Sequence, residues 1–260
     1  MSHTILYEVA GGVATITLNN PEKKNAFSPE MLDACQAAFL RAQADDAARV
    51  IVLTGAGEAF CAGGDVSNMG RPITPVERKT HLWERMQGVP RIIERIDKPI
   101  IGMINGDAVG GGMDVAMMCD MRIASAKARF SEGYVRLGLV PGDGGAYYLP
   151  RLIGIAKALE LLLTGDFVDA AEAERLGIVN RTVPHEQLAD ETYELAKRIA
   201  SRPPLAVRMT KRLTYQSLRT DLSTALDLAS SHVVVVQQSA DHKEAVEAFR
   251  ERRPGNFTGQ

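Results

Sequence analysis

Apolar residues along the chain alternate between short continuous runs and helical spacing. The runs predict buried strands at residues 4–9, 13–18, 50–53, 99–104 and 121–124. A helix is predicted after Ser28, a capping residue type that precedes Pro29 at the first helical position. Strands alternate with helices as far as residue 183, and the pattern is almost entirely helical from residue 184 onward. The sequence therefore predicts an α/β core of residues 1–200 and a helical extension of residues 201–260.

The predicted helix after Ser217 has more apolar surface than a helix at the edge of a domain needs. Its apolar side chains are Leu218, Leu222, Ala225, Leu226, Leu228 and Ala229, followed by the run 233–236. Such a surface is expected to be buried, either against the main domain or against another subunit. The sequence leaves both arrangements open.

The chain is organised around residues 105–120, NGDAVGGGMDVAMMCD. An apolar run leads into a turn, three glycines follow, and a buried helix begins beside Asp114. Glycines at a helix start allow a ligand to approach the backbone closely, and the first N–H groups have no partner within the helix. Together with the helix dipole they can stabilise an oxyanion, with Asp114 nearby as an acid or base. Taken alone, the same pattern is also an ordinary helix start.

A second glycine-containing stretch, residues 59–66 (AFCAGGDV), follows the strand predicted at residues 50–53. If the two glycine loops converge, each can supply one N–H group to the same oxygen, as a two-donor oxyanion hole requires. Cys61 in this stretch lacks a catalytic partner nearby in sequence, so we expect a small buried thiol rather than a nucleophile.

Composition narrows the classes of function. The chain of 260 residues is 45% apolar and carries a net charge of −2, which argues against a nucleic-acid partner. Its three scattered cysteines suggest neither a disulfide framework nor a zinc site and favour a reducing, cytoplasmic location. The sequence shows no signal peptide, membrane span, phosphate-binding loop, serine-hydrolase elbow or metal-binding motif. We therefore expect no metal and no membrane partner.

Five segments together resemble the crotonase superfamily, the enoyl-CoA hydratase/isomerase family. In chain order they are NPEKKNAF, AFCAGGDV, NGDAVGGGMDVAMMCD, FSEGYVRLGLVPGDGG, and LTGD followed by AEAERLGIV. The resemblance implies an α/β spiral of ββα units with a C-terminal helical region that forms homotrimers, often paired into hexamers. It also implies an acyl-CoA thioester as substrate, so that coenzyme A belongs to the substrate and no separate cofactor is expected.

The resemblance also implies the positions of the binding residues. Backbone N–H groups of Ala62 and Gly111 would hold the thioester oxygen and stabilise an enolate. The segments that line the coenzyme A groove match Lys24, Ala26, Gly64, Asp65 and Val66. The walls of the acyl pocket are expected in residues 69–83 and around Tyr147.

Both glutamates of typical family hydratases are replaced in this chain. The first position holds Asp114, which is one methylene shorter, and the second holds Tyr134, which can contact substrate and donate a proton but is a poor base at neutral pH. Glu132 would share a face with Tyr134 if their segment were extended. Asp143 in the PGDGG loop is a further candidate acid, one position from the functional aspartate of some family isomerases and dehalogenases, or else a turn residue.

Hydration of a 2-enoyl-CoA is the reaction that the resemblance favours. The missing second glutamate keeps an enoyl-CoA isomerase as the alternative, because double-bond migration needs one group that removes and returns a proton. A thioester hydrolase or ring-opening enzyme of the same superfamily is a third candidate, and a non-catalytic acyl-CoA-binding paralogue a fourth.

Overall fold

The computed structural model of the protein describes residues 4–68 and 73–260. Its strands are β1 (Ile5–Ala10), β2 (Val13–Leu18), β3 (Val50–Gly55), β4 (Ala59–Cys61), β5 (Ile100–Ile104), β6 (Asp107–Val109), β7 (Met121–Ser125), β8 (Arg129–Ser131), β9 (Val168–Asp169) and β10 (Arg181–Val183). Its α-helices are α1 (Pro29–Ala44), α2 (Pro75–His81), α3 (Gly88–Ile93), α4 (Gly111–Met118), α5 (Gly145–Ile153), α6 (Ile155–Thr164), α7 (Ala170–Leu176), α8 (Leu188–Ala200), α9 (Pro204–Ser217), α10 (Leu222–Gln237) and α11 (Ala240–Glu251).

The strands form two sheets. The larger sheet has the order β1-β2-β3-β5-β7-β10 and the smaller one β4-β6-β8-β9. From β2 onward the neighbours in the larger sheet are parallel, and β1 joins β2 as the predicted antiparallel hairpin. The pairs β3-β4, β5-β6 and β7-β8 each place one strand in either sheet before the chain enters a helical segment. The predicted spiral of ββα units is confirmed.

Local sequence explains the first helix and the central strand. The Ser28 hydroxyl accepts a hydrogen bond from the Met31 N–H at 3.2 Å, which is the predicted N-cap of α1. Every residue of β3 is buried, as a continuous apolar run predicts for a parallel strand covered on both faces. One face of β3 packs under α1, and the other packs against α8 through Ala196 and Ala200.

The last three helices extend from this core. Asp120 fixes α9 to it, because its carboxylate pairs with Lys211 at 2.7 Å and accepts from the Tyr215 hydroxyl at 2.8 Å. In contrast, α10 buries none of its residues against this chain, and its side chains Leu226 and Val234 are both 58% exposed. α10 packs on α9 along one side, and the face that carries Leu226 and Val234 is not covered by the described part of its own chain. None of the helices in the described ranges is both long and apolar enough to cross a bilayer.

Candidate active site

The two glycine loops, whose convergence the sequence left open, do meet. The start of α4 lies against the end of β4 so closely that a β-carbon on Gly112 would be 2.1 Å from the Cys61 carbonyl oxygen. A β-carbon on Gly63 would be 2.6 Å from the Val109 oxygen and 3.2 Å from the Gly111 nitrogen. Gly63 also has a φ of +85°, which favours glycine. Only glycine fits at these points, because two stretches of backbone are in direct contact.

Two buried asparagines hold the loops in this arrangement. The Asn25 side chain donates to the Ala59 oxygen at 2.8 Å and accepts from the Asn20 N–H at 2.9 Å. The Asn105 side chain donates to the Gly57 oxygen at 2.9 Å and accepts from the Gly55 N–H at 3.1 Å. Both asparagines lie within the motifs that carry the family resemblance, yet the sequence analysis gave neither a role. Asn25 adopts a φ of +57°, a conformation that asparagine tolerates better than most residues, which is the one local signal.

One of the two backbone N–H groups predicted as donors is not free. The Ala62 N–H donates to the Lys24 oxygen at 2.9 Å, so it is not available to a substrate. Phe27 pairs with the backbone on either side of Gly64, through the Gly63 oxygen and the Asp65 N–H. This pairing leaves the Gly64 N–H without an acceptor within the described ranges.

The second predicted donor remains available. The Gly111 N–H is the first of α4 and likewise has no acceptor in the described part of the chain. The Ala62 N–H is therefore not free to bind an oxyanion, and Gly64, which was expected only in the coenzyme A groove, carries the free N–H group of the first loop.

Tyr134 joins two of the candidate acids beside these donors. Its hydroxyl donates to Asp114 Oδ2 at 2.5 Å and lies 3.1 Å from Asp143 Oδ2. A β-carbon on Gly111 would be 3.0 Å from the same Asp143 oxygen and 3.6 Å from the tyrosine hydroxyl. The helix start, the tyrosine and both aspartates thus form one site.

Glu132 also lies at this site, although the backbone after it does not have the extended conformation considered above. The segment after it is not extended, since residues Gly133–Leu137 form a 3₁₀-helix with Glu132 at its N-terminus. The Glu132 side chain is nevertheless directed inward and is buried. A β-carbon on Gly145 would be 2.4 Å from Glu132 Oε2 and 2.6 Å from Asp114 Oδ1, so the two carboxyl groups meet over that glycine.

Burial dominates the electrostatics of the four side chains. It raises the pKa of Asp114, an effect that the Tyr134 hydrogen bond opposes and the charge of Asp143 reinforces. It also raises the pKa of Glu132, as does the adjacent charge of Asp114, and it raises the pKa of Asp143. The pKa of Tyr134 is raised by burial and by the surrounding carboxyl groups, so its hydroxyl stays protonated.

The three acids of the site lack a compensating positive charge among the described residues. None of their carboxyl groups forms an ion pair within those ranges. Raised carboxyl pKa values in a buried cluster are typical of acid–base sites. The site can therefore hold protons near neutral pH that isolated carboxylates would have released.

The residues expected to line the coenzyme A groove surround the first donor. Ala26 is buried beside Gly64, whereas Lys24 and Val66 are exposed at the rim. Asp65 pairs with Lys23 at 2.9 Å, and this ion pair links the loop after β2 to the loop after β4. Of the expected acyl-pocket wall, residues 69–72 lie outside the described residues, and Tyr147 is 42% exposed on α5.

The structure offers no support for thiolate chemistry at Cys61. Burial raises the pKa of the Cys61 thiol to about 12, so it is not a thiolate nucleophile. In the described ranges, His, Cys, Asp and Glu side chains form no group of three that could hold a metal ion.

Two free backbone donors beside buried acids, on a spiral of ββα units, define an enzyme of the crotonase class. The family profile for enoyl-CoA hydratase/isomerase matches residues 8–260. The chain belongs to this family.

Individual relatives match over nearly the full length. A crotonyl-CoA hydratase of Syntrophomonas wolfei is 36% identical over 97% of each chain. A 1,2-epoxyphenylacetyl-CoA isomerase of Escherichia coli is 35% identical over 100% of each chain. Among solved structures, an enoyl-CoA hydratase from Bacillus anthracis superposes with a TM-score of 0.94 at 33% identity, covering 99% of this chain and 100% of that one.

Proposed function

We propose that the protein hydrates a 2-enoyl-CoA thioester. The observation that carries this proposal is the pair of N–H donors, Gly64 and Gly111, that the described residues leave free beside a buried Asp114 held by Tyr134. The hydratase names of relatives such as the Syntrophomonas protein support the same reaction. Coenzyme A belongs to the substrate in this scheme, and the reaction needs no separate cofactor.

The proposed mechanism places the thioester oxygen between the two N–H donors. Asp114 removes a proton from water as the water oxygen bonds to the β-carbon, and the double-bond electrons move onto the thioester as an enolate. The donors stabilise the enolate oxygen, because they are fixed where negative charge develops. Asp114 then gives a proton to the α-carbon, so that one water is added and the carboxylate is regenerated.

An isomerase is the second candidate, and Tyr134 is the observation that favours it. The tyrosine stays protonated at the second acid position, which leaves Asp114 to do any proton transfer with Asp143 close by. One carboxylate is sufficient to remove a proton from one carbon and return it to another. The Escherichia coli relative carries an isomerase name.

A panel of acyl-CoA thioesters, assayed for water addition, double-bond migration and coenzyme A release, separates these functions. Water addition supports the proposal, double-bond migration alone supports the isomerase, and coenzyme A release alone indicates a hydrolase. If the protein binds the thioesters at micromolar concentration without turnover, it is an acyl-CoA-binding paralogue.

Two substitutions then assign the acid. We expect Asp114→Asn nearly to abolish turnover, because the amide cannot accept the proton. Asp143→Asn is expected to have a smaller effect on hydration. If Asp143→Asn is as damaging as Asp114→Asn, the PGDGG loop takes part in the chemistry, and the isomerase and hydrolase candidates gain.

We also propose that residues 201–260 form an oligomerisation region that assembles homotrimers or pairs of trimers. The support is the exposed apolar face of α10, which the described part of its own chain does not cover. We place the enzyme in the cytoplasm, where its three free, buried cysteines would remain reduced.

A further inference from the structure

We propose that Glu132 is the second carboxyl group of the site and carries a proton that it donates to Asp114 Oδ1, so that it positions Asp114 as a carboxylate. The proposal concerns the site of the proposed hydration and rests on that function for its catalytic consequence. Glu132 acts through Asp114 and is a positioning residue.

Unsatisfied oxygens are the first observation. Glu132 is only 1% exposed, and neither of its carboxyl oxygens has a hydrogen-bond donor among the described residues. Asp114 Oδ1 is also buried and has no hydrogen-bond partner of good geometry there, although the nearby Gly145 N–H lowers the pKa of Asp114. Buried polar atoms in folded proteins nearly always have a partner, because an unpaired one costs its full desolvation.

The two groups supply each other's partner. Glu132 and Asp114 lie within hydrogen-bonding reach of each other, and both crowd the position above Gly145. A single proton between them satisfies Asp114 Oδ1 and one Glu132 oxygen together. Two ionised carboxylates in this place would leave both oxygens unpaired and would also repel each other.

The hydrogen-bond donors around Asp114 and Glu132 determine which of the two carboxyl groups holds the proton. Asp114 already accepts a hydrogen bond from the Tyr134 hydroxyl at Oδ2, and this bond favours its ionised form. Glu132 receives no such donor from the described residues. The negative charge is therefore expected on Asp114 and the proton on Glu132.

The other groups that face the pair strengthen this arrangement. Asp143 lies beyond Tyr134, and Tyr148 on α5 is close enough for its hydroxyl to be influenced by the charge of Asp114. Neither neighbour brings a positive charge. Burial and the negative charge of Asp114 both raise the pKa of Glu132, which keeps it protonated above neutral pH.

This arrangement accounts for the replacement of the second family glutamate. Tyr134 occupies that position and donates to one oxygen of Asp114, and Glu132, two residues earlier, donates to the other. Asp114 and Glu132 together thus form a pair of carboxyl groups that shares one proton, although only Asp114 is at a family position.

Substitutions at Glu132 test the proposal through the pH profile of kcat/KM. In the wild type, activity should fall at alkaline pH as Glu132 loses its proton and repels Asp114. Glu132→Gln keeps a donor of the same shape without an ionisable proton, so it should retain neutral activity to within about threefold and lose the alkaline fall. Glu132→Leu removes the donor and should lower activity about 10- to 100-fold. Glu8→Gln, an exposed glutamate on β1, is the matched control.

A purely structural role predicts a different outcome. If Glu132→Gln keeps the alkaline fall of the wild type, or is as inactive as Glu132→Leu at every pH, the proposal is wrong.

Infrared spectroscopy tests the protonation state without any substrate. The difference spectrum between wild type and Glu132→Gln at neutral pH should contain the carbonyl stretch of a protonated carboxylic acid. If it contains only carboxylate bands, Glu132 is ionised and the proposal fails. Because this measurement does not depend on turnover, a protein that hydrates none of the thioesters would refute the proposed function while the spectrum still decides the protonation state of Glu132.

Discussion

Replacing Tyr134 by phenylalanine tests the chemistry of Asp114 directly. The substitution removes a hydroxyl that donates to Asp114 Oδ2 at 2.5 Å and leaves the ring in place. A hydrogen bond to a charged group contributes about 1.5–3 kcal/mol, and about 1.4 kcal/mol corresponds to one pKa unit. The pKa of Asp114, already raised by burial, should therefore rise by about 1–2 further units.

The direction in which the pH dependence of kcat/KM should move follows from the proposed role of Asp114 as a base. Because the ionised form is the active one, kcat/KM increases with pH through the pKa of Asp114. Tyr134→Phe raises this pKa, so the rising limb of the pH profile should move to higher pH. At neutral pH, close to the pKa of Asp114, kcat/KM should fall about 5- to 50-fold, and it should recover toward the wild-type value as pH rises to about 9, before the alkaline fall that Glu132 causes.

The assay is kcat/KM for hydration from about pH 5.5 to 9.5 for both proteins. Tyr7→Phe is a matched control, because Tyr7 also donates to an aspartate, Asp45, but at the other end of the fold. A uniform loss at all pH values, with the limb unmoved, would mean that Tyr134 contacts the substrate and does not tune Asp114. That result would refute the reasoning.

Three further outcomes are expected. Gly111→Val places side-chain atoms against Asp143, and it should lower kcat about 10²–10³-fold in a folded protein. Near-normal turnover would mean that the oxyanion hole is elsewhere. The raised pKa of Glu132 means that the folded state holds a proton that the unfolded chain releases. In urea unfolding, the free energy of unfolding of the wild type should therefore decrease relative to that of Glu132→Gln as pH rises from about 5, by up to about 1.4 kcal/mol per pH unit. Equal pH dependence of the two unfolding free energies would contradict this. Leu226→Asp on the exposed face of α10 should convert an oligomer into a 28.2 kDa monomer by light scattering, and a monomeric wild type would contradict the proposed assembly.

The sequence predicted the parts of the fold that local chemistry determines. The strand β3 begins with the unbroken apolar run of residues 50–53, because a parallel strand that is buried on both faces has no polar side. The glycines at residues 63 and 112 were recognisable because backbone contact excludes a β-carbon there. The pattern also allowed the two loops to converge, since both come after predicted strands, but it did not require them to.

The sequence did not predict which amide of the first loop is free. Ala62 and Gly64 are close neighbours in similar surroundings, and the choice depends on the pairing of Gly64 with Phe27, which is distant along the chain. Likewise Glu132 lies at the N-terminus of a 3₁₀-helix, whereas the sequence left the conformation of this segment open. Both features are set by tertiary contacts that periodicity does not encode.

The exchange of two glutamates for Asp114 and Tyr134 makes sense once their neighbours are included. Asp114 is one methylene shorter than a glutamate, and its carboxyl group lies between the Tyr134 hydroxyl, which donates to Oδ2, and the buried Glu132, which we propose donates to Oδ1. Tyr134 has a single hydroxyl hydrogen, so it can donate to Asp114 or to Asp143 but not to both. In the proposed mechanism Asp114 gains a proton, and this hydrogen is then free to turn toward Asp143 and stabilise that carboxylate instead. The charge in the site is then shared along a chain of four side chains, and Asp143 is coupled to the chemistry of Asp114 even if it never touches the substrate.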